Sequence, residues 1–283
     1  MFRIKLPSLL KKRHPERNTI AQATPLFPIG IPRSGTTFLA KALNSHPEVL
    51  MTNETAVFIL LNETIKNSRI GIKAGILYGK QYHNLWAEHL SENAKELIES
   101  FYAKICRENN IGRLKYWGDK HPHHNMCFDF IQKLYPSALY VYIVRDPRDV
   151  ACSIAEMNQV PFLQAFSTWK MFAEKYESFV SGLTNSQLCY LRYEDLVNDY
   201  EKSMRRMLNW LRLDFSLEVQ EFLKQFKHVD AHTYNLPKKG IQNMVSENFS
   251  FKSVGRWKRD LSSSEQQITL REAEEYLYKH NYI

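Results

Sequence analysis

The sequence predicts an α/β protein in which helices flank a parallel sheet of the P-loop type. Apolar runs typical of buried strands alternate along the chain with helical patterns. The first apolar run leads directly into a glycine-containing loop and then into a helix, an arrangement that suits phosphate binding. A chain of 283 residues can form one large hydrophobic core. We therefore expect residues 26–283 to form a single domain.

Residues 1–25 differ from the rest because the basic charge is concentrated there. The first 17 residues supply +5 of the net charge of +8, through one acidic and six basic side chains. We expect a solvated, poorly ordered arm, with contact to an anionic membrane surface or partner as the alternative. The sequence contains no recognised nucleic-acid-binding motif, so the charge does not indicate a nucleic-acid partner.

The predicted elements follow in chain order from hydrophobic periodicity. Buried strands are predicted at residues 27–31, 138–144 and 188–193, with a shorter one at Leu50–Met51. Helices are predicted at residues 35–44, 54–66, 85–109, 123–134, 148–157, 161–182 and 201–211. Ser262 and Glu265 have the spacing of a capping box and predict the start of the last helix. Residues 228–254 show no clear period and predict a long surface loop.

Several classes of site and location are disfavoured. No apolar stretch approaches the roughly 18 residues of a membrane span, which predicts a protein without an integral membrane segment. The four cysteines stand alone and form no C-x-x-C pair, which favours a reducing, cytoplasmic compartment unless the chain is the excised catalytic part of a Golgi enzyme. His121, His123 and His124 lack zinc-ligand spacing, so no metal site is expected.

The loop from Gly30 to Thr37 has the spacing of a Walker A loop but lacks its lysine, which is replaced by Thr36. Successive backbone N–H groups and the start of a helix can still cradle an anion there. Arg33 supplies a cation inside the loop. A ligand with one phosphate and one further anionic group would not need the Walker lysine, and Arg33 would face the bond between the two groups.

A second candidate anion site follows the predicted strand 138–144. The strand ends at Arg145, and Ser153 lies eight residues later, about two turns into the next helix. Both side chains can converge on one anion at the carboxyl edge of the sheet, where open α/β sheets bind ligands. The alternative is that Arg145 pairs with a carboxylate and Ser153 only packs or caps.

With these residues in place, the sequence resembles the sulfotransferases that use 3′-phosphoadenosine 5′-phosphosulfate (PAPS). P-R-S-G-T-T at 32–37 is similar to their 5′-phosphosulfate loop, and the stretch from Arg145 to Ser153 is similar to their 3′-phosphate motif. Y-E-D-L at 193–196 and S-V-G-R-W-K at 253–258 resemble two further segments near the nucleotide. The resemblance implies PAPS binding by Arg33, Ser34, Gly35, Thr36, Thr37, Arg145, Ser153, Tyr193 and Ser253.

Two more segments resemble particular branches of that family. H-P-E-V at 46–49, followed by N-E-T at 53–55, is similar to the tyrosylprotein sulfotransferases, and this likeness implies that Glu54 is the catalytic base. W-G-D-K-H-P at 117–122 is similar to bacterial members and implies that Lys120 lies near the sulfonate. The implied reaction is an in-line transfer with Glu54 as base and with Lys120 and Arg33 stabilising charge, without a metal. The chain departs from the tyrosylprotein pattern at Ala56, where those enzymes have arginine.

Other functions and details remain open from the sequence. A P-loop nucleotide kinase or phosphotransferase is one alternative, and a non-catalytic nucleotide-binding protein is another. His121, His123 and His124 are alternative bases, although no histidine motif of the cytosolic enzymes is matched. The acceptor could carry its hydroxyl on a protein tyrosine, a carbohydrate, a lipid or a small metabolite. Residues 66–115, expected to help shape the acceptor site, match no known motif, and homodimerisation is left open.

Overall fold

The structure is a computed structural model that describes residues 19–73, 80–227 and 253–283, and the side chains of these except 19, 68–83 and 225–227. Most of the predicted basic arm and most of the predicted loop 228–254 lie outside the described residues. Within them, five parallel strands form one sheet in the order β2-β3-β1-β4-β5. The strands are β1 Thr24–Ile29, β2 Val49–Asn53, β3 Tyr116–Lys120, β4 Leu139–Val144 and β5 Leu188–Arg192. This architecture confirms the predicted α/β class.

Helices fill the connections between the strands. They are α1 Thr19–Gln22, α2 Thr36–Asn44, α3 Val57–Lys73, α4 Lys80–Glu108, α5 Phe128–Leu134, α6 Pro147–Asn158, α7 Phe162–Ser181, α8 Tyr193–Asn198, α9 Tyr200–Trp210, α10 Leu217–Lys227, α11 Trp257–Asp260, α12 Ser263–Glu272 and α13 Glu274–Lys279. The predicted capping box is confirmed: Ser262 accepts from the backbone N–H of Glu265, and the Glu265 side chain accepts from the N–H of Ser262. Within the described residues, no helix is both long and apolar enough to cross a membrane.

The hydrophobic core lies on both faces of the sheet, as a parallel sheet requires. Alternation along β1 sends Leu26 to one face and Phe27 to the other, where each joins a separate buried cluster. The Phe27 cluster packs under α4, α6 and α7, and the Leu26 cluster packs under α2, α8 and α9. The four cysteines are buried and unpaired. The sheet is thus fixed from both sides, and its carboxyl edge is left to carry polar side chains.

Two predicted elements differ from the structure, and one strand was missed. The helix predicted at 54–66 begins only at Val57, because Glu54 and Ala56 both adopt φ of 58°, a left-handed conformation that a right-handed helix excludes. The helix predicted at 123–134 is a short 3₁₀ turn, His124–Met126, followed by α5. Strand β3 was not predicted, and it occupies a central place in the sheet between β2 and β1.

The glycine in β3 explains both its place and its weak sequence signal. A Cβ atom on Gly118 would lie 1.9 Å from the carbonyl oxygen of Leu26 in the neighbouring strand, so only glycine fits. The register pairs Asn53 of β2 with Lys120 of β3. Because all five strands are parallel, the ends of β2, β3, β1 and β4 meet at one edge, and the residues that follow them form the site described next.

Candidate active site

The loop after β1 forms a cradle of backbone groups at the start of α2. Gly35 is the N-cap residue, with φ of 98°, and its lack of a side chain leaves the first N–H groups of the helix without a side-chain cap. A Cβ atom at Gly35 would lie 2.8 Å from the ring of Tyr193, and one at Gly30 would lie 2.7 Å from the carbonyl oxygen of Ile143. Both glycines therefore allow the loop to approach its neighbours closely, and the uncapped N–H groups can receive an anion.

The other loop residues vary in exposure. Ser34 and Thr36 are buried, and the Ser34 N–H closes the turn by donating to the carbonyl of Ile31 at 3.1 Å. Thr37 is partly exposed at the helix start. Two hydroxyl groups, of Thr36 and Thr37, thus flank the uncapped N–H groups, in a position that suits an oxyanion ligand.

Arg33 connects the loop to the second candidate anion site. Its Nε donates to Ser153 Oγ at 3.0 Å, and its carbonyl accepts from Arg145 Nη1 at 2.9 Å. Burial, and then the neighbouring Arg145 charge, lower the pKa of Arg33. Two guanidinium groups held this close favour an anion between or beside them. The structure therefore brings together three residues predicted from separate motifs: Arg33, Arg145 and Ser153.

Arg145 is almost fully buried at the end of β4. Its Nη2 donates to the carbonyl of Ser253 at 2.6 Å, and its guanidinium lies over the Tyr193 ring, 4.3 Å from the centroid. The Tyr193 hydroxyl and Ser253 Oγ are 2.9 Å apart. Arg145 Nε is buried and has no hydrogen-bond partner within the described part of the chain. A buried donor without a partner is costly, which indicates that a ligand atom completes the site.

Residues 253–260, here called the strap, cross the edge of the sheet beside Arg145. The strap is held by Asp149, a fully buried carboxylate in α6. Asp149 Oδ2 accepts from the Gly255 N–H at 2.6 Å, and Oδ1 accepts from the Trp257 N–H at 3.0 Å. Burial raises the pKa of Asp149 to about 6, against the opposing effect of these two N–H groups and of Arg145. The sequence prediction missed Asp149, although it lies within the segment 145–153.

Two other basic residues near the strap are engaged by carboxylates. Arg148 forms a two-pronged pair with Asp146, at 2.8 and 2.9 Å, and its guanidinium stacks on the Trp257 ring at 3.7 Å. Arg256 pairs with Glu156 and Asp260, both at 2.7 Å. These arginines therefore act mainly in fastening the strap.

The second half of the site lies at the ends of β2 and β3. Lys120 is buried, and its Nζ contacts Oε1 of Glu54 at 2.5 Å. The Glu54 side chain is 47% exposed, so its carboxylate faces the solvent side of the pair. Lys120 thus contacts one oxygen of a carboxylate whose side chain is about half exposed. Burial, followed by the charge of Lys120, lowers the pKa of Lys41 in α2, which places a further cation near this pair.

The histidines at 121–124 are arranged in a way that disfavours them as bases. His121 Nδ1 accepts from the His123 backbone N–H at 3.1 Å, so the neutral ring carries its proton on Nε2 and presents a donor. Burial, followed by the nearby His124, lowers the pKa of His121 and favours that neutral form. His124 is fully buried. Within the described residues, no three His, Cys, Asp or Glu side chains gather as metal ligands.

The site thus combines a glycine-containing loop at a helix start with a buried lysine that contacts a partly exposed carboxylate. The sequence model of the sulfotransferase family matches residues 25–216. This chain belongs to the sulfotransferase family. The match covers β1 to the end of α9, and so includes the loop, Arg145, Ser153 and the Glu54–Lys120 pair.

Curated relatives and solved structures agree with this membership. Nodulation protein NoeE of Sinorhizobium fredii is 24% identical over 270 residues, which are 85% of this chain and 61% of that protein. The protein-tyrosine sulfotransferase of Drosophila melanogaster is 25% identical over 223 residues, or 71% of this chain and 41% of that protein. This chain thus spans less than two thirds of either relative.

Among solved structures, the sulfotransferase domain from the curacin biosynthetic pathway aligns with a TM-score of 0.55 at 18% identity, covering 88% of this chain and 97% of that one. Mouse sulfotransferase SULT7A1, solved in complex with PAP, aligns with a TM-score of 0.51 at 15% identity, covering 92% and 87%. Both structures are less than 20% identical to this chain, so the likeness supports the fold alone.

Proposed function

We propose that this protein transfers the sulfuryl group of PAPS to an acceptor hydroxyl, with Glu54 as the base and Lys120 and Arg33 as charge-stabilising cations. The catalytic unit would be residues 26–283, with 1–25 as a separate basic arm. The single observation that carries the proposal is the convergence of Arg145 and Ser153 on Arg33, because it joins the phosphate loop to a second anion site.

The nucleotide half of the site fits a ligand with two separated anionic groups. The uncapped N–H groups at Gly35, with Ser34, Thr36 and Thr37, suit the 5′ side of such a ligand. Arg145 and Ser153 suit a 3′-phosphate, and the unpartnered Nε of Arg145 is a donor that such a group could engage. Tyr193 and Ser253 lie against Arg145 and would keep its guanidinium in place. PAPS, when bound, supplies the sulfuryl group.

The transfer half supplies a base and two cations. Glu54 would take the proton of the acceptor hydroxyl on the carboxylate oxygen that Lys120 does not contact, as the hydroxyl attacks, since a neutral hydroxyl is a weak nucleophile. Lys120 would hold Glu54 in place and stabilise negative charge on the transferring group. Arg33 would stabilise charge on the leaving oxygen from the opposite side. The side chains supply these charges already oriented, which is the main source of acceleration in transfers of this kind.

Binding selectivity tests the nucleotide half without an acceptor. We expect isothermal titration to give tight binding of 3′,5′-ADP, weaker binding of 5′-ADP, and little binding of ATP with Mg²⁺. Ser153→Ala and Arg145→Ala should each lower the ratio of the Kd for 5′-ADP to the Kd for 3′,5′-ADP by roughly 10-fold or more, because a charge-assisted hydrogen bond is lost. Arg205→Ala, a change of an exposed arginine in α9, is the matched control. Preferential binding of ATP with Mg²⁺ would favour the kinase alternative.

Turnover tests the transfer half. Transfer from labelled PAPS should be measured with a panel of tyrosine-containing peptides, phenols, carbohydrates and lipid alcohols. Tyrosine-containing peptides are tested first, because several relatives are protein-tyrosine sulfotransferases. Glu54→Gln should lower kcat by about 10²- to 10⁴-fold while the Kd for 3′,5′-ADP stays the same. A Glu54→Gln protein with full turnover would show that Glu54 is not the base. A protein that binds 3′,5′-ADP but turns over no acceptor would favour the non-catalytic alternative.

A further inference from the structure

The turn that carries Glu54 has an unusual backbone. It spans residues 53–56, directly after β2, and both Glu54 and Ala56 adopt φ of 58°. Residues other than glycine avoid this left-handed region, because the Cβ atom approaches the backbone too closely. Two such residues in one turn persist only where surrounding contacts hold them. The contacts that hold this turn therefore determine where the Glu54 carboxylate lies.

Strand β3 provides those contacts through two consecutive residues. The Glu54 N–H donates to the carbonyl of Lys120 at 2.7 Å, and the Thr55 N–H donates to Asp119 Oδ1 at 3.3 Å. The hydroxyl of Thr52, the residue paired with Asp119 in the sheet register, donates to the same Oδ1 at 2.7 Å. Asp119 is fully buried. A single carboxylate oxygen thus binds the chain on both sides of Glu54.

We propose that Asp119 is a positioning residue for the reaction: its carboxylate holds the turn 53–56 so that Glu54 meets Lys120 at the acceptor. The inference rests on the proposed function in that Glu54 is taken as the base. Lys120 and Asp119 are neighbours in β3, and their side chains leave the strand in opposite directions. One contacts the Glu54 side chain and the other contacts its backbone neighbours, so β3 fixes the base from two sides.

The second oxygen of Asp119 faces His124. Asp119 Oδ2 and His124 Nε2 are 3.5 Å apart, and neither atom has a hydrogen-bond partner within the described residues. The His124 ring is fixed by edge contacts with Phe27 and Phe58, at 5.7 and 5.9 Å between centroids. His124 therefore lies where it can orient the carboxylate, leaving Oδ1 directed at Thr52 and Thr55.

The test is a double-mutant cycle between Asp119 and Glu54. We expect Asp119→Ala, which removes the oxygen that accepts from both Thr52 and Thr55, to lower kcat by roughly 10- to 100-fold, since displacement of a reacting group by about 1 Å costs up to that much. The probe is 4-nitrophenol or the best acceptor from the panel above. The Kd for 3′,5′-ADP should change by less than about twofold. In the Glu54→Gln background, the same Asp119→Ala change should cost nothing further, because a positioning residue acts only through the group it positions.

Hydrogen exchange gives a readout that does not depend on activity. In Asp119→Ala, the peptide covering 50–57 should exchange faster, while peptides from β1 and β4 keep their protection. Glu177→Ala is the matched carboxylate-to-alanine control; Glu177 lies away from the site, where its carboxylate accepts from Tyr142 and pairs with Lys279. It should leave both kcat and the exchange of 50–57 unchanged.

The outcomes separate this inference from the proposed function. Equal losses from Asp119→Ala in the wild-type and Glu54→Gln backgrounds, or an unchanged kcat with unchanged exchange, would overturn the positioning role. Full turnover in Glu54→Gln alone would overturn the choice of base instead. If Asp119→Ala does not fold, Thr52→Val removes one donor to the same oxygen at nearly constant volume. It should show a smaller loss of kcat that again disappears in the Glu54→Gln background.

Discussion

Replacing Asp149 by Asn tests whether the strap 253–260 contributes to nucleotide binding. In the wild type, each carboxylate oxygen accepts one backbone N–H, from Gly255 and from Trp257. An amide has one oxygen, so one of the two strap N–H groups must face an NH₂ group and lose its acceptor. A hydrogen bond to a charged group contributes about 1.5–3 kcal/mol. If all of it is transmitted to the strap contacts of Arg145, the Kd for 3′,5′-ADP rises by roughly 10- to 100-fold.

The stability of the same variant should behave differently. Burial raises the Asp149 pKa from 3.8 to about 6, which corresponds to about 3 kcal/mol spent on keeping the carboxylate charged at neutral pH. Asn carries no charge and avoids that cost, which already includes both strap hydrogen bonds, so Asp149→Asn should not lower the unfolding free energy at pH 7.5 by more than about 2 kcal/mol. A large fall in affinity without a large fall in stability is therefore expected.

The raised pKa of Asp149 also predicts the direction in which the unfolding free energy changes with pH. Because the folded-state pKa of Asp149 is raised, its contribution favours the folded wild type at low pH and is lost as the pH rises through about 6. The unfolding free energy of the wild type relative to Asp149→Asn should therefore fall between about pH 4 and pH 6 and stay constant above. Urea unfolding across this range measures the stability, and isothermal titration at pH 7.5 measures the affinity. An unchanged Kd for 3′,5′-ADP would refute the role of the strap, and a pH-independent stability difference would refute the burial argument.

Three further predictions concern the loop 30–37, Lys120 and the cysteines. Gly35→Ala places a Cβ atom 2.8 Å from the Tyr193 ring at φ of 98°, so thermal unfolding should show a loss of at least about 1 kcal/mol, with weaker 3′,5′-ADP binding by titration. Lys120→Met should lower kcat by roughly 100-fold or more while preserving the Kd for 3′,5′-ADP, since it removes the buried cation beside the base and leaves the nucleotide contacts in place. A thiol reagent should react slowly with the native protein at neutral pH and with four thiols after denaturation, because burial raises the pKa of the cysteines, to about 11 for Cys106 and about 12 for Cys127 and Cys152.

The parts of the fold that could be predicted from sequence are those with local signals. Strand β4 is a run of apolar residues, and the loop after β1 has glycines at fixed spacing, so both were located within a few residues. Strand β3 reads Y-W-G-D-K, in which a glycine and two charged residues indicate a turn. Its strand conformation is imposed by pairing with β1 and β2 on either side, which no local pattern reveals.

Some residues of the candidate site could likewise be predicted from the sequence, and others could not. Arg33, Arg145 and Ser153 stand in motifs with recognisable spacing, and the structure brings them into contact. Asp119 and Asp149 also lie inside recognised segments, but their partners are separated from them by 64 residues or more along the chain. Acidic residues of this kind look like ordinary surface charge until the fold shows which backbone N–H groups they receive. Glu54 is predicted from a motif to be the base, yet its left-handed turn could not be inferred because a glycine, the usual signal, is absent.

The position of Arg33 links the two halves of the site. Its φ of 76° is left-handed, and this conformation accompanies the contact of its carbonyl with Arg145 while its side chain reaches Ser153. Arg33, which lies between the predicted 5′ and 3′ anion sites, is therefore held through both its carbonyl and its side chain by residues of the predicted 3′ site. Any movement of β4 or of the strap relative to the loop would change the contacts of Arg33 with Arg145 and Ser153. Binding of the 3′ side of a nucleotide by Arg145 and Ser153 would thus also fix Arg33, and in the proposed reaction this would couple donor recognition to the chemical step.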